Sequence, residues 1–332
     1  MNQTAFTVLF GLQYPIMQAP MGGVAGPDLA AAVSNAGGMG MLAGVGLPPD
    51  ELRNQIQRLR TLTTRPFGVN LLLPVLLDGQ VEVCLDQGVP LLSLFWGDPM
   101  PYVARAHAAG VKVMIQVGSV EEAIAARTAG VDLLVAQGVE AGGHVRGRIT
   151  TMVLVPAVVD AVHPLPVLAT GGIADGRGLA AVLALGAAGA ALGTRFLTST
   201  EAAAHPEYKQ RVVQATADDT LYTTLFDIGW PDAPHRVLRN SVVEEWERAG
   251  CPASGRRPSE GELIGELHQG ELAFPVPRYA VFPAAAGFQG AVEKTELYAG
   301  QSCELVTDVR PAADLVAQIA HEAEETLQRL RG

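Results

Sequence analysis

The feature that most constrains this chain is a repeat of eight short apolar, β-prone runs in its first 200 residues. Each is followed by a Gly/Pro/Asp turn and then an Ala/Leu-rich stretch of helical period. The runs are PIMQA (15–19), MGMLA (39–43), FGVNL (67–71), PLLSL (90–94), KVMIQ (112–116), DLLVA (132–136), PVLAT (166–170) and GAALG (189–193). Their starts lie 24, 28, 23, 22, 20, 34 and 23 residues apart, room for a strand, a loop and about three helical turns. Continuous rather than alternating hydrophobicity marks strands buried on both faces, as in parallel sheets covered by helices. Between the runs the sequence predicts helices over 28–36, 49–62, 99–109, 120–129, 156–162 and 176–185. Four stop at Gly37, Gly110, Gly130 and Gly186, where glycine takes the left-handed turn that ends a helix. Such an array suits an open doubly wound sheet or a closed barrel, and a count of eight favours the (β/α)8 TIM barrel of the α/β class.

From residue 202 the pattern changes to helical segments broken by Pro and Gly, as in WPDAPHR (230–236) and CPASGRRPSEGEL (251–263). The expected organisation is a barrel over 1–201, a smaller, mainly helical substrate or lid domain over 202–290, and a segment over 291–332 that returns to the barrel. Its last part, 311–331, reads as an amphipathic helix. With 48% hydrophobic and 17% charged residues the chain is no disordered tail. Its net charge of -11 has the wrong sign for holding a phosphate backbone, which argues against nucleic acid as a partner. Cys84, Cys251 and Cys303 lie far apart without a C-x-x-C pair, so neither a disulfide framework nor a cysteine metal site is expected. No signal-like or membrane-spanning apolar run is present. The reading is a soluble cytoplasmic protein acting on a small molecule, its oligomeric state open.

In a TIM barrel the chemistry sits where strands meet the loops at their C-terminal ends. Those positions hold Gln18 to Gly23, Asn70, Phe95 to Gly97, Gln116, Gln137, Glu140 to His144, Thr170 to Gly172, and Gly193 with Thr194. No paired carboxylates, H-E-x-x-H, strand-end lysine or G-x-S-x-G stand among them, which argues against glycoside hydrolysis, zinc, Schiff-base and triad chemistry. ATGGIADGRG (169–178) and LGTRF (192–196) place glycines where barrels bind phosphate. The helix starting at Asp175 or Gly176 is expected to turn its N–H groups into the same space. Gln18, Asn70, Gln116 and Gln137 offer donors and acceptors to a planar heterocycle such as a flavin, and Met21-Gly22-Gly23 leaves room for a ring against the backbone. The economical ligand for amides beside a phosphate cup is FMN.

The longest interval between strands contains QGVEAGGHVRGR (137–148). His144 follows Gly142 and Gly143 in a loop long enough to fold over the barrel mouth, and imidazole is the side chain suited to move a proton near neutral pH. It is the candidate base. The other histidines fall in helices or the second domain; of these, His205 and His235 could face the cleft. Trp96, Phe226, Trp230 and Tyr298 are candidates for a substrate pocket wall.

YPIMQAPMGG, SNAGGMGMLAG, FGVNLLLP, LFWGDP, QGVEAGGH, ATGGIADGRG, LGTRF and YAGQS together resemble the nitronate monooxygenase family, formerly 2-nitropropane dioxygenases. The resemblance runs from about Tyr14 to His205 and resumes near Tyr298. It implies an FMN-containing barrel that uses O2 to oxidise alkyl nitronates, such as propionate 3-nitronate, to a carbonyl compound and nitrite. Carried over, Asn70, Gln137, Gly142, Gly172, Ala191, Leu192, Gly193 and Thr194 would hold FMN, with Gln18 and Met21 near the ring and His144 as the catalytic histidine. Gln116, Gly143, Thr170 and Gly171 complete the candidate cofactor set from the strand-end reading. The AGGH and GGIADG strings also occur in flavin-dependent enoyl-ACP reductases, so an NAD(P)H-dependent FMN reductase of enoyl-ACP or quinone type is the alternative. A flavin-storing or ligand-sensing barrel without catalysis is the third reading.

Overall fold

The computed structural model describes residues 3–269 and 272–331. Eight parallel strands follow the eight apolar runs: β1 (Ile16–Gln18), β2 (Gly40–Ala43), β3 (Phe67–Leu72), β4 (Leu91–Phe95), β5 (Lys112–Val117), β6 (Leu133–Gln137), β7 (Val167–Thr170) and β8 (Gly189–Leu192). Their order around the sheet is sequential from β2 to β8, and β8 returns to β1 with Ile16 opposite Ala190. A parallel bridge between Met17 and Met39 joins β1 to β2 and closes the barrel.

Successive side chains point to opposite faces of a strand, so the strands feed two cores. The inward set, including Met17, Met39, Met41, Leu91, Met114, Leu133 and Leu168, fills the barrel axis. The outward set packs under the helices in a second, larger cluster. The short helix Ala5–Phe10 covers one end: Phe6 is buried in the inward cluster, and Thr4 donates 2.6 Å to the Ala188 carbonyl just before β8. The ligand-accessible end is therefore the opposite one, where the strands finish.

The predicted helices are found with small shifts at their ends, except that the one expected over 156–162 begins at Thr151. Proline suits a first helical turn, which placed the start at Pro156, but the Glu140 carboxylate accepts from the backbone N–H and the hydroxyl of Thr151 and starts the helix earlier. The final helix, Ala312–Arg331, returns to the barrel as expected and lies so close to the helix Gly176–Ala184 that a Cβ at Gly176 would meet Ala323 N at 2.3 Å.

Over 202–290 the helical expectation is corrected. Two helices are present, Pro206–Gln214 and Ser241–Arg248, but the remaining elements are largely strands. β9 (Thr220–Thr223) pairs with β10 (His235–Leu238), while β11 (Leu263–Gln269) pairs with β12 (Leu272–Pro277) and β13 (Phe288–Gly290). The prolines and glycines that suggested broken helices serve the turns between short strands, and β-strand content depends on tertiary pairing that local sequence does not encode. Leu225, Phe226, Val237, Val242, Val243 and Tyr279 form a separate small core here. Among the described residues no helix is long and apolar enough to cross a membrane.

Candidate active site

At the strand ends a cavity of about 860 Å³ opens between the barrel and the segments over 228–230, 267–268 and 280–287. Met21, Asn70, Gln116, Gln137, Gly142, Gly143, His144, Thr170, Gly171, Gly172, Ala191, Gly193 and Thr194 all line it. Gln18 and Leu192 do not. Gln18 is fully buried, its Oε1 accepting from Met41 N at 2.9 Å and its Nε2 donating to the Ala19 carbonyl, so its amide stitches β1 to β2 beneath the cavity floor. Leu192 points its side chain into the core.

Two of the remaining amides, Asn70 and Gln137, are held in place from behind. Asn70 Nδ2 donates to Ser93 Oγ at 3.1 Å. Gln137 Nε2 donates 2.9 Å to the His144 carbonyl, and its Oε1 accepts from Arg146 N at 3.4 Å, which pins the 137–148 loop to the end of β6. Thr170 donates 2.7 Å to the Ala191 carbonyl across β7 and β8. Gly171 and Gly172 have φ of +104° and +71°, a left-handed backbone that glycine adopts without strain. The backbone N–H groups of Gly172, Gly193 and Thr194 donate to no acceptor among the described residues.

The expected helix N-terminal contribution to an anion site is corrected. Asp175 caps the helix Gly176–Ala184 with its own carboxylate, accepting from Arg177 N at 3.0 Å and Gly178 N at 3.1 Å, while Gly176 N donates to Glu322 at 3.1 Å. Those N–H groups already face carboxylates, and a phosphate there would meet like charge. The donors left for an anion are those of the glycine loops after β7 and β8.

His144 forms a two-residue strand with Gly143, antiparallel to β10, opposite His235. Its ring lies 4.1 Å from Trp230, 5.5 Å from His235, 5.6 Å from Tyr298 and 6.1 Å from Trp96, centroid to centroid. Nε2 lies 3.3 Å from the Tyr298 hydroxyl, and Nδ1 has no hydrogen-bond partner among the described residues. Burial, with His235 close by, pushes its pKa down to about 3, so the free ring is neutral. His235 packs behind it, outside the cavity lining: Nε2 accepts from Phe226 N, leaving Nδ1 to donate to the Ala233 carbonyl. His205 caps the helix Pro206–Gln214 by accepting from Glu207 N, a structural task. Trp96 and Trp230 do form part of this aromatic wall, with ring centroids 5.2 Å apart, and Trp96 holds a left-handed φ of +66° at the end of β4. The segment over 280–287 carried no sequence signal of its own, since Ala, Val and Pro there read equally well as core or loop.

The residues after Tyr298 are stitched into the same end. Gly300 N donates 3.0 Å to Thr194 Oγ1, Gln301 N donates 2.9 Å to the Glu140 carbonyl, and a Cβ on Gly142 would meet Gly300 N at 2.4 Å. A family model described as "Nitronate monooxygenase" matches residues 3–78 and 75–322. The chain belongs to the nitronate monooxygenase family. It is therefore an enzyme of an oxidoreductase family. A probable nitronate monooxygenase of Staphylococcus saprophyticus is 32% identical, covering 98% of this chain and 99% of its own. A (3aS,4S,5R,7aS)-5-hydroxy-7a-methyl-1-oxo-octahydro-1H-indene-4-carboxyl-CoA dehydrogenase of Mycobacterium tuberculosis is 40% identical over 76% of this chain and 70% of its own. Among solved structures, FabK from Thermotoga maritima superposes with a TM-score of 0.82 at 33% identity, covering 100% of this chain and 99% of the other.

Proposed function

We propose that this family member is an FMN-dependent monooxygenase that converts alkyl nitronates and O2 to a carbonyl compound and nitrite. The observation that carries the reading is His144, packed against Trp230 and Tyr298 in the wall of a cavity that also receives backbone N–H groups of Gly172, Gly193 and Thr194 left without partners among the described residues. Polar groups that converge on a concave, largely apolar pocket mark places where a ligand supplies the missing partner.

The donor set fits FMN. Gly171, Gly172, Gly193 and Thr194 would hold its phosphate through backbone N–H groups, and Asn70, Gln116 and Gln137 would meet the polar edge of its ring. Met21, Gly142, Gly143, Thr170 and Ala191 would close around it. Redox chemistry toward substrate and O2 is what this group supplies when bound. The segment over 202–290 acts as the substrate lid of the 1–201 barrel, and its Trp230 keeps water from His144.

His144 is the proton-handling group. Neutral in the free site, it accepts the proton of a neutral nitroalkane, and the anion so formed beside the ring favours the imidazolium that burial alone disfavours. The Tyr298 hydroxyl, 3.3 Å from Nε2, fixes the ring's orientation. His144→Ala should retain bound FMN yet lose roughly 10²- to 10⁴-fold in kcat on a neutral nitroalkane, and much less on the pre-formed nitronate. Equal losses on both substrates would contradict the base role.

The second reading, an NAD(P)H-dependent flavin reductase acting on an enoyl thioester or quinone, draws on the similarity to the carboxyl-CoA dehydrogenase. Anaerobic mixing separates the two. Rapid bleaching of the flavin by a nitronate supports the monooxygenase, and rapid bleaching by NADH or NADPH with no response to nitronates supports the reductase.

A further inference from the structure

The cavity wall has a property that the reaction itself does not require. Among its described lining residues there is no Asp, Glu, Lys or Arg. Of its two histidines, His144 is held neutral by burial, and His268 lies 3.6 Å from the carboxylate of Glu266. The polar lining consists otherwise of neutral amides, hydroxyls and backbone groups. Two apolar walls share the lining with them. Val45 and Leu77 come from the barrel's first loops and Leu72 from the end of β3, while Ile228, Trp230 and Val281 come from the lid. The lid wall is braced by backbone hydrogen bonds, Ile228 N to Tyr279 O at 3.1 Å and Val281 N to Ile228 O at 2.9 Å, so it presents side chains rather than polar backbone.

A nitronate carries one charge spread over two oxygens, which neutral N–H and O–H donors can share. A second, localised carboxylate on the same molecule, away from the glycine N–H groups that would be taken up by the flavin phosphate, would enter this chamber with no cation to pair, and an unpaired buried charge is strongly unfavourable. An alkyl chain or ring would instead gain contact with every wall. From the uncharged lining and the two apolar walls we infer that the site selects substrates whose non-reacting part is neutral and apolar, a linear alkyl chain or an alicyclic ring, and rejects those bearing a carboxylate. Propionate 3-nitronate is thereby a poor substrate for this member of the family.

The turnover arm of the test rests on the proposed nitronate chemistry; the binding arm does not. With the flavin-loaded enzyme, kcat/KM for linear nitronates from ethyl to hexyl should rise about 4-fold per methylene. Propionate 3-nitronate should fall about 100-fold below butyl nitronate. A flat series, or a carboxylate that equals its neutral counterpart, overturns the inference. In the binding arm, hexanamide and hexanoate are titrated against the fluorescence of the tryptophans beside the cavity. Hexanamide should bind at least about 100-fold more tightly, and equal or tighter binding of hexanoate overturns the inference. Ile228→Arg places a cation on the lid wall at a partly exposed position, so it should raise hexanoate affinity relative to hexanamide; no change in that ratio also counts against it. If no nitronate turns over, the proposed function fails and the binding arm alone decides the chamber's selectivity.

Discussion

Glu296 shows how one residue sets a condition on the whole site. It is 1% exposed, its Oε1 has no hydrogen-bond partner among the described residues, and it lies near Tyr208 and Tyr298. Burial pushes its pKa well above the ordinary 4.5, so the native protein holds this carboxyl protonated where the unfolded chain ionises it. The native state therefore binds the extra proton, and stability that is complete below about pH 4.5 declines as pH rises toward the raised native value, by about 1.4 kcal/mol per unit. Glu296→Gln keeps the shape without the ionisation. Denaturant titrations at pH 5 and pH 8 should show the parent losing stability over that interval by more than the variant; equal losses would mean that Glu296 ionises in the native state. His144 and His235 act in the opposite direction. Their values, pushed down to about 3 and about 4, mean that stability present above pH 6.5 is lost as pH falls toward those values. His144 stood out in the sequence because two glycines and a long interval between strands surround it. Glu296 gave no such sign, since burial of a single carboxylate is decided by residues far along the chain. Gln18 looked like a ligand for the same reason, because a strand-end amide reads alike whether it faces a cavity or a neighbouring strand.

At the scale of elements, the eight strands were legible because parallel strands buried on both faces write themselves as unbroken apolar runs, and the helices because glycine stops them. The segment over 202–290 was not, because its strands are short, are held by partners distant in sequence, and are punctuated by the same Pro and Gly that break helices. The helix Gly176–Ala184 falls between these cases: its start was read correctly, but its N-cap was taken as open. Asp175 fills that cap, and its carboxylate also meets Arg177 Nε at 2.8 Å. Asp175→Ala should lower stability by about 0.5–2 kcal/mol, the ordinary value of an N-cap, while leaving FMN affinity unchanged. Equilibrium dialysis of flavin against variant and parent checks the second half. A variant that binds flavin tenfold more tightly would mean that the phosphate lies at this helix after all and is repelled by Asp175.

Across the whole molecule, the barrel and the segment over 202–290 meet at the cavity. β10 pairs with Gly143–His144 and bridges Val237 to Tyr298, while the chain after Tyr298 passes back to Thr194 and Glu140. Trp230 thus rests on the loop that carries His144, and the walls of one cavity come from both parts. A ligand that fills such a cavity binds only when both are folded, so its binding free energy stabilises them together. At a concentration of 100 times its Kd, FMN should add about 2.7 kcal/mol to the stability of the folded state and raise the unfolding temperature by several degrees. Calorimetry of the protein stripped of flavin and then reloaded should show one cooperative transition that moves as a unit. Two transitions, of which FMN shifts only one, would place the flavin wholly within the barrel and show that the segment over 202–290 folds without regard to it.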